Sequence, residues 1–586
     1  MIVLKILTTL KKICIEAYGF FILHRTKQTL PNLKSFYIIL FFLFNLSVFG
    51  QNEFSWVPPL EIPIQLSGTF GELRNNHFHA GIDIRTQGRQ GLKVRSVQDG
   101  RISRIRVSVS GYGKALYVEH RNGTTSVYAH LKKFAPKIEA YVKEKQYQKE
   151  TFQIQLFPKK DELSIEAGEI VGFSGNTGGS YGPHLHFEMR ETKGQFPINA
   201  MRYPMVIEDT QRPQVQNFYL YSGTQPNSNK KEFPLVKKND STYVTTGVIP
   251  SGRVNVGLRL FDRQNRSYNK NGIYSTSVRL NGIEQFKYTM DRISFNDSKY
   301  INLMIDYEVF SKNKRRIQRF VSHPKQKFSF LNETSPQGEM LIEPGKSYQI
   351  LIELNDYKQN TTYVEAYLTG TNEVTPSKKG LGNSLNPTQD YLFEFDDKSV
   401  YFPKESFFDQ VNMLVEDRGD TLHISQNWAP LQKPFEIKYK VPVGDSLTLA
   451  QSFLAVINKK GKPSFFTASK KEGFWAAKSK TLGDYVVSRD SIAPEIKAVN
   501  FKNKQWLSNY SFLRLKITDD YSGIKKYRGT INGKWILLEH EPKNNSLIYK
   551  FSDVKFKEAL HQFTIEAEDQ VGNKTVFKRD FYRKTK

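Results

Sequence analysis

Two stretches of this chain, far apart, carry the same turn residues at the same spacings, and this repetition limits what the chain can become. Gly272-Ile273 precedes Leu280-Asn281-Gly282 by the interval at which Gly523-Ile524 precedes Ile531-Asn532-Gly533. Asp209-Thr210 with Pro213 and Val215 corresponds to Asp490-Ser491 with Pro494 and Ile496. Ile352-Glu353 with Asp356, Asn360 and Thr362 corresponds to Ile565-Glu566 with Asp569, Asn573 and Thr575. An Asn-Gly pair between alternating apolar runs makes a hairpin turn, because both residues accept positive φ at little cost. Each copy therefore reads as an immunoglobulin-like β-sandwich without the buried disulfide. The runs Phe435 to Val441, Ser446 to Ile457 and Gly483 to Val487 place a further sandwich between them. Nothing after Pro204 is expected to cluster titratable groups, since His323, His423, His540 and His561 stand alone.

Before Pro204 the chain is a series of short β runs separated by glycine turns: Leu92 to Val97, Arg101 to Val109, Ala115 to Glu119, Thr125 to His130, Ile170 to Phe173 and His184 to Met189. Between Ala135 and Leu163 the pattern breaks into a charged helical stretch, Ile138 to Gln146, and a strand candidate, Thr151 to Phe157, which together read as an insertion that lids a groove or docks a partner. The fold class is mainly β, an antiparallel β unit followed by several sandwiches. The expected division is 1–50, 51–206 with the insertion near 135–163, 207–371, 372–489 and 490–586.

A formal charge of +27, from 85 Lys+Arg against 58 Asp+Glu, attracts polyanions. The basic residues are scattered along β runs, however, with no basic helix and no nucleic-acid signature, so no nucleic-acid partner is expected. An anionic envelope polymer suits the charge. Lys34 precedes the apolar run Phe36 to Phe49, which ends at Gly50 before Gln51. That is the form of a signal peptide, and the run is shorter than the about 20 apolar residues a spanning helix needs. An uncleaved N-terminal anchor is the other reading, and the only one that gives the protein a membrane contact. The long, partly apolar segment before Lys34 is unusual for a signal and points to a start of translation further in. Either way the protein is expected to be exported, to a periplasmic or cell-envelope site.

The single cysteine, Cys14, excludes a disulfide scaffold and any thiolate metal cluster, leaving histidine and carboxylate as metal ligands. Of eleven histidines, His77, His79, His120, His130, His184 and His186 fall in one short stretch. On a strand, residues i and i+2 share a face, so His184 and His186 project into one cleft. One can ligate while the other works. Zinc takes imidazole nitrogen and carboxylate oxygen, and a catalytic site uses three such ligands with a position left open. His79, Asp83 and one of the histidine pair make that set. His77 competes for it on spacing alone, His120 closes a strand and reads as structural, and the glycines of Gly172 to Gly182 read as permitting close approach of a substrate.

The combination of His79 with Asp83, Tyr128-Ala129-His130-Leu131, and Gly182-Pro183-His184-Leu185-His186-Phe187 resembles the signature of the M23 (lysostaphin/LytM-like) metallopeptidases. The resemblance covers about Gly68 to Glu188. It implies an antiparallel β fold with a groove, one zinc ion per chain held by His79, Asp83 and His186, and catalytic roles for His130 and His184. The implied activity is hydrolysis of peptide bonds in peptidoglycan stem peptides or cross-links during wall remodelling. The alternative is a catalytically silent relative that regulates or scaffolds another wall hydrolase. Peptidoglycan is then the expected partner, with other envelope proteins engaged through the C-terminal sandwiches. Richness in Lys, Asn and Ile, with Gln51 after the cleavage point, resembles exported proteins of Bacteroidota.

Overall fold

A computed structural model describes residues 56–584 apart from 224–227, 327, 332–336, 374–380, 426–428, 442–443 and 556. The expected signal segment and Cys14 lie outside the described residues. Among those described, no helix is long and apolar enough to cross a membrane.

The chain is mostly β, in antiparallel sheets. Its first sheet is built from β1 (Leu66–Gly68), β2 (Ile82–Arg85), β4 (Gly100–Val107), β5 (Lys114–His120), β6 (Thr124–Ala129), β8 (Ile154–Leu156) and β11 (His184–Glu191), in the order β1-β2-β11-β6-β5-β4-β8. Two short strands, β9 (Ser164–Ile165) and β12 (Pro197–Ile198), flank it, on β4 and β11 respectively. A small second sheet joins β3 (Lys93–Arg95), β10 (Ile170–Phe173) and β7 (Lys133–Phe134) in the order β3-β10-β7.

Strand β11 shows how sequence alternation creates the site. Leu185, Phe187 and Met189 are fully buried in the apolar core. The intervening His184, His186, Glu188 and Arg190 therefore share the opposite face. A strand covered on both sides normally reads as continuously apolar. Here one covered face is polar, so each of its groups needs a partner.

The insertion folds as a helix, α1 (Pro136–Lys149), followed by strand β8. Proline at the first turn suits the fixed φ and the absent N–H, and Glu150 in the left-handed region ends the helix. Ile138, Val142 and Gln146, one turn apart, form its buried stripe.

Three sandwiches follow, each with a core filled from two sheets. The first and last repeat one another bond for bond. Asn281 and Gly282 turn with φ of 47° and 85°, and Asn532 and Gly533 with 49° and 77°. Asn281 Oδ1 accepts from Gln349 N at 2.8 Å, and Asn532 Oδ1 from Gln562 N at 2.8 Å. Thr362 Oγ1 donates to the Pro213 carbonyl at 2.6 Å, and Thr575 Oγ1 to that of Pro494 at 2.6 Å. Asn360 Nδ2 and Asn573 Nδ2 each bond their own aspartate, Asp356 or Asp569, at 2.7 Å. Each copy also pairs one strand in parallel, Thr242–Pro250 with Thr361–Thr371 and Gln505–Trp506 with Lys574–Tyr582.

The last sandwich packs against the insertion. Tyr147 of α1 meets Trp535 edge to face at 5.2 Å, Lys143 Nζ bonds Asp553 Oδ1 at 2.6 Å, and Glu150 pairs with Arg528. What the insertion receives is part of its own chain.

Candidate metal centre

Register brings the ligands together. In the β2/β11 pairing Asp83 lies directly opposite His186, and on the other side of β11 His186 lies opposite Ala129, the residue before His130. His79 precedes β2. Its Nε2 is 3.1 Å from Asp83 Oδ1 and 3.1 Å from His186 Nδ1, and His186 Nδ1 is 2.9 Å from Asp83 Oδ1. All three residues are buried.

Outer partners fix which nitrogen faces inward. Because a carbonyl only accepts, His79 Nδ1 donates to Thr69 O at 2.8 Å, and its Nε2 lone pair is left for a ligand. His186 Nε2 sits 2.7 Å from Glu188 Oε1 and donates to it, so Nδ1 faces the ligand set. Glu188 in turn accepts from Arg190 Nε at 2.6 Å and from the Tyr112 hydroxyl. Arg74 Nη2 donates to Asp83 Oδ2 at 2.5 Å, leaving Oδ1 for the centre.

His130 and His184 stand beside this set with ring centres 4.8 Å apart. His130 Nδ1 donates to the Thr177 carbonyl at 2.8 Å and His184 Nδ1 to that of Gly182 at 2.9 Å. Each thus turns Nε2 away from its backbone anchor, and His184 Nε2 is 3.4 Å from Asp83 Oδ1. His130 is held at φ 58°, a left-handed conformation uncommon outside glycine. Its N–H on the Tyr112 carbonyl at 3.0 Å helps to hold it there.

Burial holds the His79 imidazole down at about 4, against the pull of Asp83. Burial and the neighbouring His186 and His184 lower His130 to about 3. Burial would also lower His186, but its bonds to Asp83 and Glu188 and their charges outweigh that and raise it to about 9. Burial opposes the charge on Glu188 too, yet Arg190 and His186 hold that carboxyl at about 2. Asp83 lies well below the usual carboxylate range because the three imidazoles around it overcome its burial.

Two imidazole nitrogens and one carboxylate oxygen, each aimed by an outer hydrogen bond, form a set that can hold a metal ion. Bonds of about 2.0–2.1 Å in a tetrahedron separate ligand atoms by about 3.3 Å, close to the 2.9–3.1 Å found here. The donor types and the spacing therefore fit zinc.

Residues 77–148 match the family described as Peptidase family M23. The chain carries an M23 peptidase domain. Among curated proteins it is similar to the DD-carboxypeptidase/endopeptidase Mpg of Neisseria meningitidis, 36% identical over 124 residues that make up 21% of this chain and 22% of that one. It is also similar to the cell division protein DipM of Caulobacter vibrioides, 32% identical over 141 residues, 24% of this chain and 18% of the relative. The matched part of this chain thus spans about a fifth of the length of these relatives. Among solved structures, a zinc-containing peptidase from Vibrio cholerae aligns over 26% of this chain and 40% of its own, at 25% identity and a TM-score of 0.20.

The family match includes His79, Asp83 and His130 and ends inside α1, before His184 and His186. Of the six clustered histidines, the M23 domain brings four together. His77 is exposed and bonded to the Asn75 carbonyl at 2.9 Å. His120 bridges Asp99 O at 2.9 Å and Ser126 Oγ at 2.8 Å inside the fold. The glycine loop departs from expectation. A side chain on Gly178 would collide with Gly113 N at 2.3 Å, so this glycine packs two loops together, and only Gly182 faces open space. Glu188 and Arg190 belong to the site although neither lies in the sequence motifs. The His-x-His alternation, continued two steps along β11, points to both. Arg74 and Tyr112 arrive from other segments and have no such signal.

Proposed function

We propose that the protein is an exported, zinc-dependent endopeptidase that hydrolyses peptide bonds of peptidoglycan stem peptides or cross-links in the cell envelope. The observation that carries this reading is the convergence of His79 Nε2, Asp83 Oδ1 and His186 Nδ1 within 3.1 Å, with two further imidazoles alongside. The similarity to the meningococcal relative, a DD-carboxypeptidase/endopeptidase, supports the reaction class. The basic charge of +27 suits an anionic wall polymer.

His79, Asp83 and His186 would hold the zinc ion, which when bound would supply Lewis acidity toward the scissile carbonyl and the attacking water. The chain's own groups do the rest. His130, kept neutral at pH 7, accepts a hydrogen bond from the attacking water at Nε2. His184, its Nδ1 fixed on Gly182, presents Nε2 to take a proton, to stabilise the oxyanion and then to protonate the departing amine. Glu188, Arg190 and Tyr112 hold His186 in one orientation.

The test is zinc content of the mature chain together with mass spectrometry of peptides released from purified sacculi, with and without chelator. One zinc per chain and chelator-sensitive release of new amino termini, lost in His186→Ala, are expected. Hydrolysis that survives His186→Ala would sink the proposal. Bound zinc with no release would replace it with a silent regulator of another hydrolase.

A further inference from the structure

The sandwiches were expected to carry no titratable cluster, and in this the structure corrects the sequence reading. Asp209, Asp262 and Asp356 offer carboxylate oxygens all within 4.8 Å of one another, and Asp490, Asp519 and Asp569 do the same. The two sets occupy the same positions of the repeat. Asp262 follows the strand Gly252–Phe261 as Asp519 follows Phe512–Thr518, and the other pairs are those already matched in sequence. The aspartates of each set are distant in the chain, which is why spacing concealed them.

Acidic groups often gather without a ligand, so their surroundings decide. In the first set Asp262 is 3% exposed and Asn271 4%, and Oδ1 of each has no hydrogen-bond partner. Both line one small cavity with Asp209 and Asp356. Lys358, whose charge acts on Asp209 and Asp356, is itself exposed. Burial and the charges of Asp356 and Asp209 push the Asp262 carboxyl up to about 9, so without a cation it holds a proton at neutral pH. Asp209 Oδ1 accepts from Gln211 N at 3.0 Å and Asp356 from Asn360 N at 2.8 Å and Nδ2 at 2.7 Å, but Asp262 Oδ1 and the Asn271 carbonyl oxygen beside them have no donor.

We propose that Asp209, Asp262, Asp356 and Asn271 bind a calcium ion. Two oxygens on one calcium at about 2.4 Å lie at most about 4.8 Å apart, and the three carboxylates meet that limit. The donors are all hard oxygens, one of them an amide carbonyl, which suits calcium; zinc prefers nitrogen or sulfur, and magnesium keeps most of its water. Leu66, Thr69 and Phe70 of the M23 domain line the same cavity, so the ion clamps that domain to the first sandwich. In the last repeat the counterpart of Asp262 has its donors: Asp519 Oδ1 takes Gly523 N at 2.6 Å and Tyr521 N at 3.3 Å, and Asp490 Oδ2 beside it takes Ser522 N at 3.0 Å. It serves as the internal control.

Calcium chloride titrated into the chelator-treated, zinc-reloaded full chain, followed by equilibrium dialysis and thermal melting, tests this. One calcium per chain and a saturable rise in melting temperature are expected in the wild type and in Asp519→Asn. Asp262→Asn should bind at least tenfold more weakly, yet melt no lower than wild type in calcium-free buffer, because a carboxyl pushed up to about 9 already carries a proton there and asparagine is its neutral counterpart. Should that variant not fold, Asn271→Ala, which keeps all three carboxyl groups, carries the same expectation of weakened binding. No bound calcium, binding undiminished in these variants, or equal stabilisation by magnesium would overturn the assignment.

Discussion

Lys114 and Glu539 stand 425 positions apart in the chain, and the lysine Nζ donates to the carboxylate at 2.9 Å. One lies on β5, its backbone N–H on Thr177 Oγ1 at 3.0 Å, the other on the last sandwich, and both are largely buried. Lys550 pairs with the other oxygen of Glu539.

This pair makes the docking of the last sandwich acid-labile. Burial would raise the Glu539 carboxyl, but Lys114 and Lys550 hold it down at about 2, against an ordinary 4.5. A folded-state value below the unfolded one means that the contribution is complete above pH 4.5 and fades as pH falls toward 2. Trp535 fluorescence, perturbed by Tyr147, should report release over that window. Glu539→Gln should cost about 3–5 kcal/mol by stranding Lys114, and should flatten the acid limb. An unchanged acid limb in the variant would remove Glu539 from the explanation.

Glu188 acts on the metal through His186. Glu188→Gln is expected to weaken zinc binding about 10–100-fold while the fold persists, because His186 exchanges a carboxylate acceptor for a neutral amide that orients it less firmly. Competition with a chelating dye measures this directly. Affinity equal to wild type would make Glu188 a purely structural partner of Arg190.

Tyr128, although it stands in the Tyr-x-His block, is a core residue. Its hydroxyl accepts from Val97 N at 2.9 Å and from Ser126 Oγ at 3.0 Å, and its ring is fully buried. Tyr128→Phe leaves a buried N–H unpaired and should cost about 1–3 kcal/mol in denaturant unfolding. Hydrolysis per bound zinc should stay unchanged, and a large fall in it would instead place the hydroxyl in the reaction.

Gly178 is at φ 70°, and a side chain there meets Gly113. Gly178→Ala should displace Thr177, whose carbonyl anchors His130. The expected result is full zinc content with hydrolysis of sacculi reduced at least tenfold, a split that loss of metal cannot produce. Parallel falls in zinc and activity would point to a wider collapse of the loop.

The strands of the M23 domain and the repeat were legible because their signals are local. Alternation along β11 and the Asn-Gly turns at 281–282 and 532–533 depend on neighbours in the chain. His79, Asp83 and His186 were legible through their motifs. Arg74 and Tyr112 were not, since each meets the site only after the sheet has formed. The same holds for Asp262, which looks in the sequence like any residue at the end of a strand. The role of α1 was half visible, as an interruption but not as the seat of the chain's own last sandwich.

That seat has a consequence for the order of synthesis. The M23 domain leaves the ribosome before the sandwiches, and Trp535, Glu539 and Asp553 emerge only long after α1. Until then the outer side of α1 and the amine of Lys114 lack these partners, and a nascent chain must carry them uncovered while the sandwiches are made. Contacts this distant in sequence form late. The finished arrangement therefore reports on the last sandwich: only a chain read past Asp553 can cover the helix that interrupts its metal-binding motif.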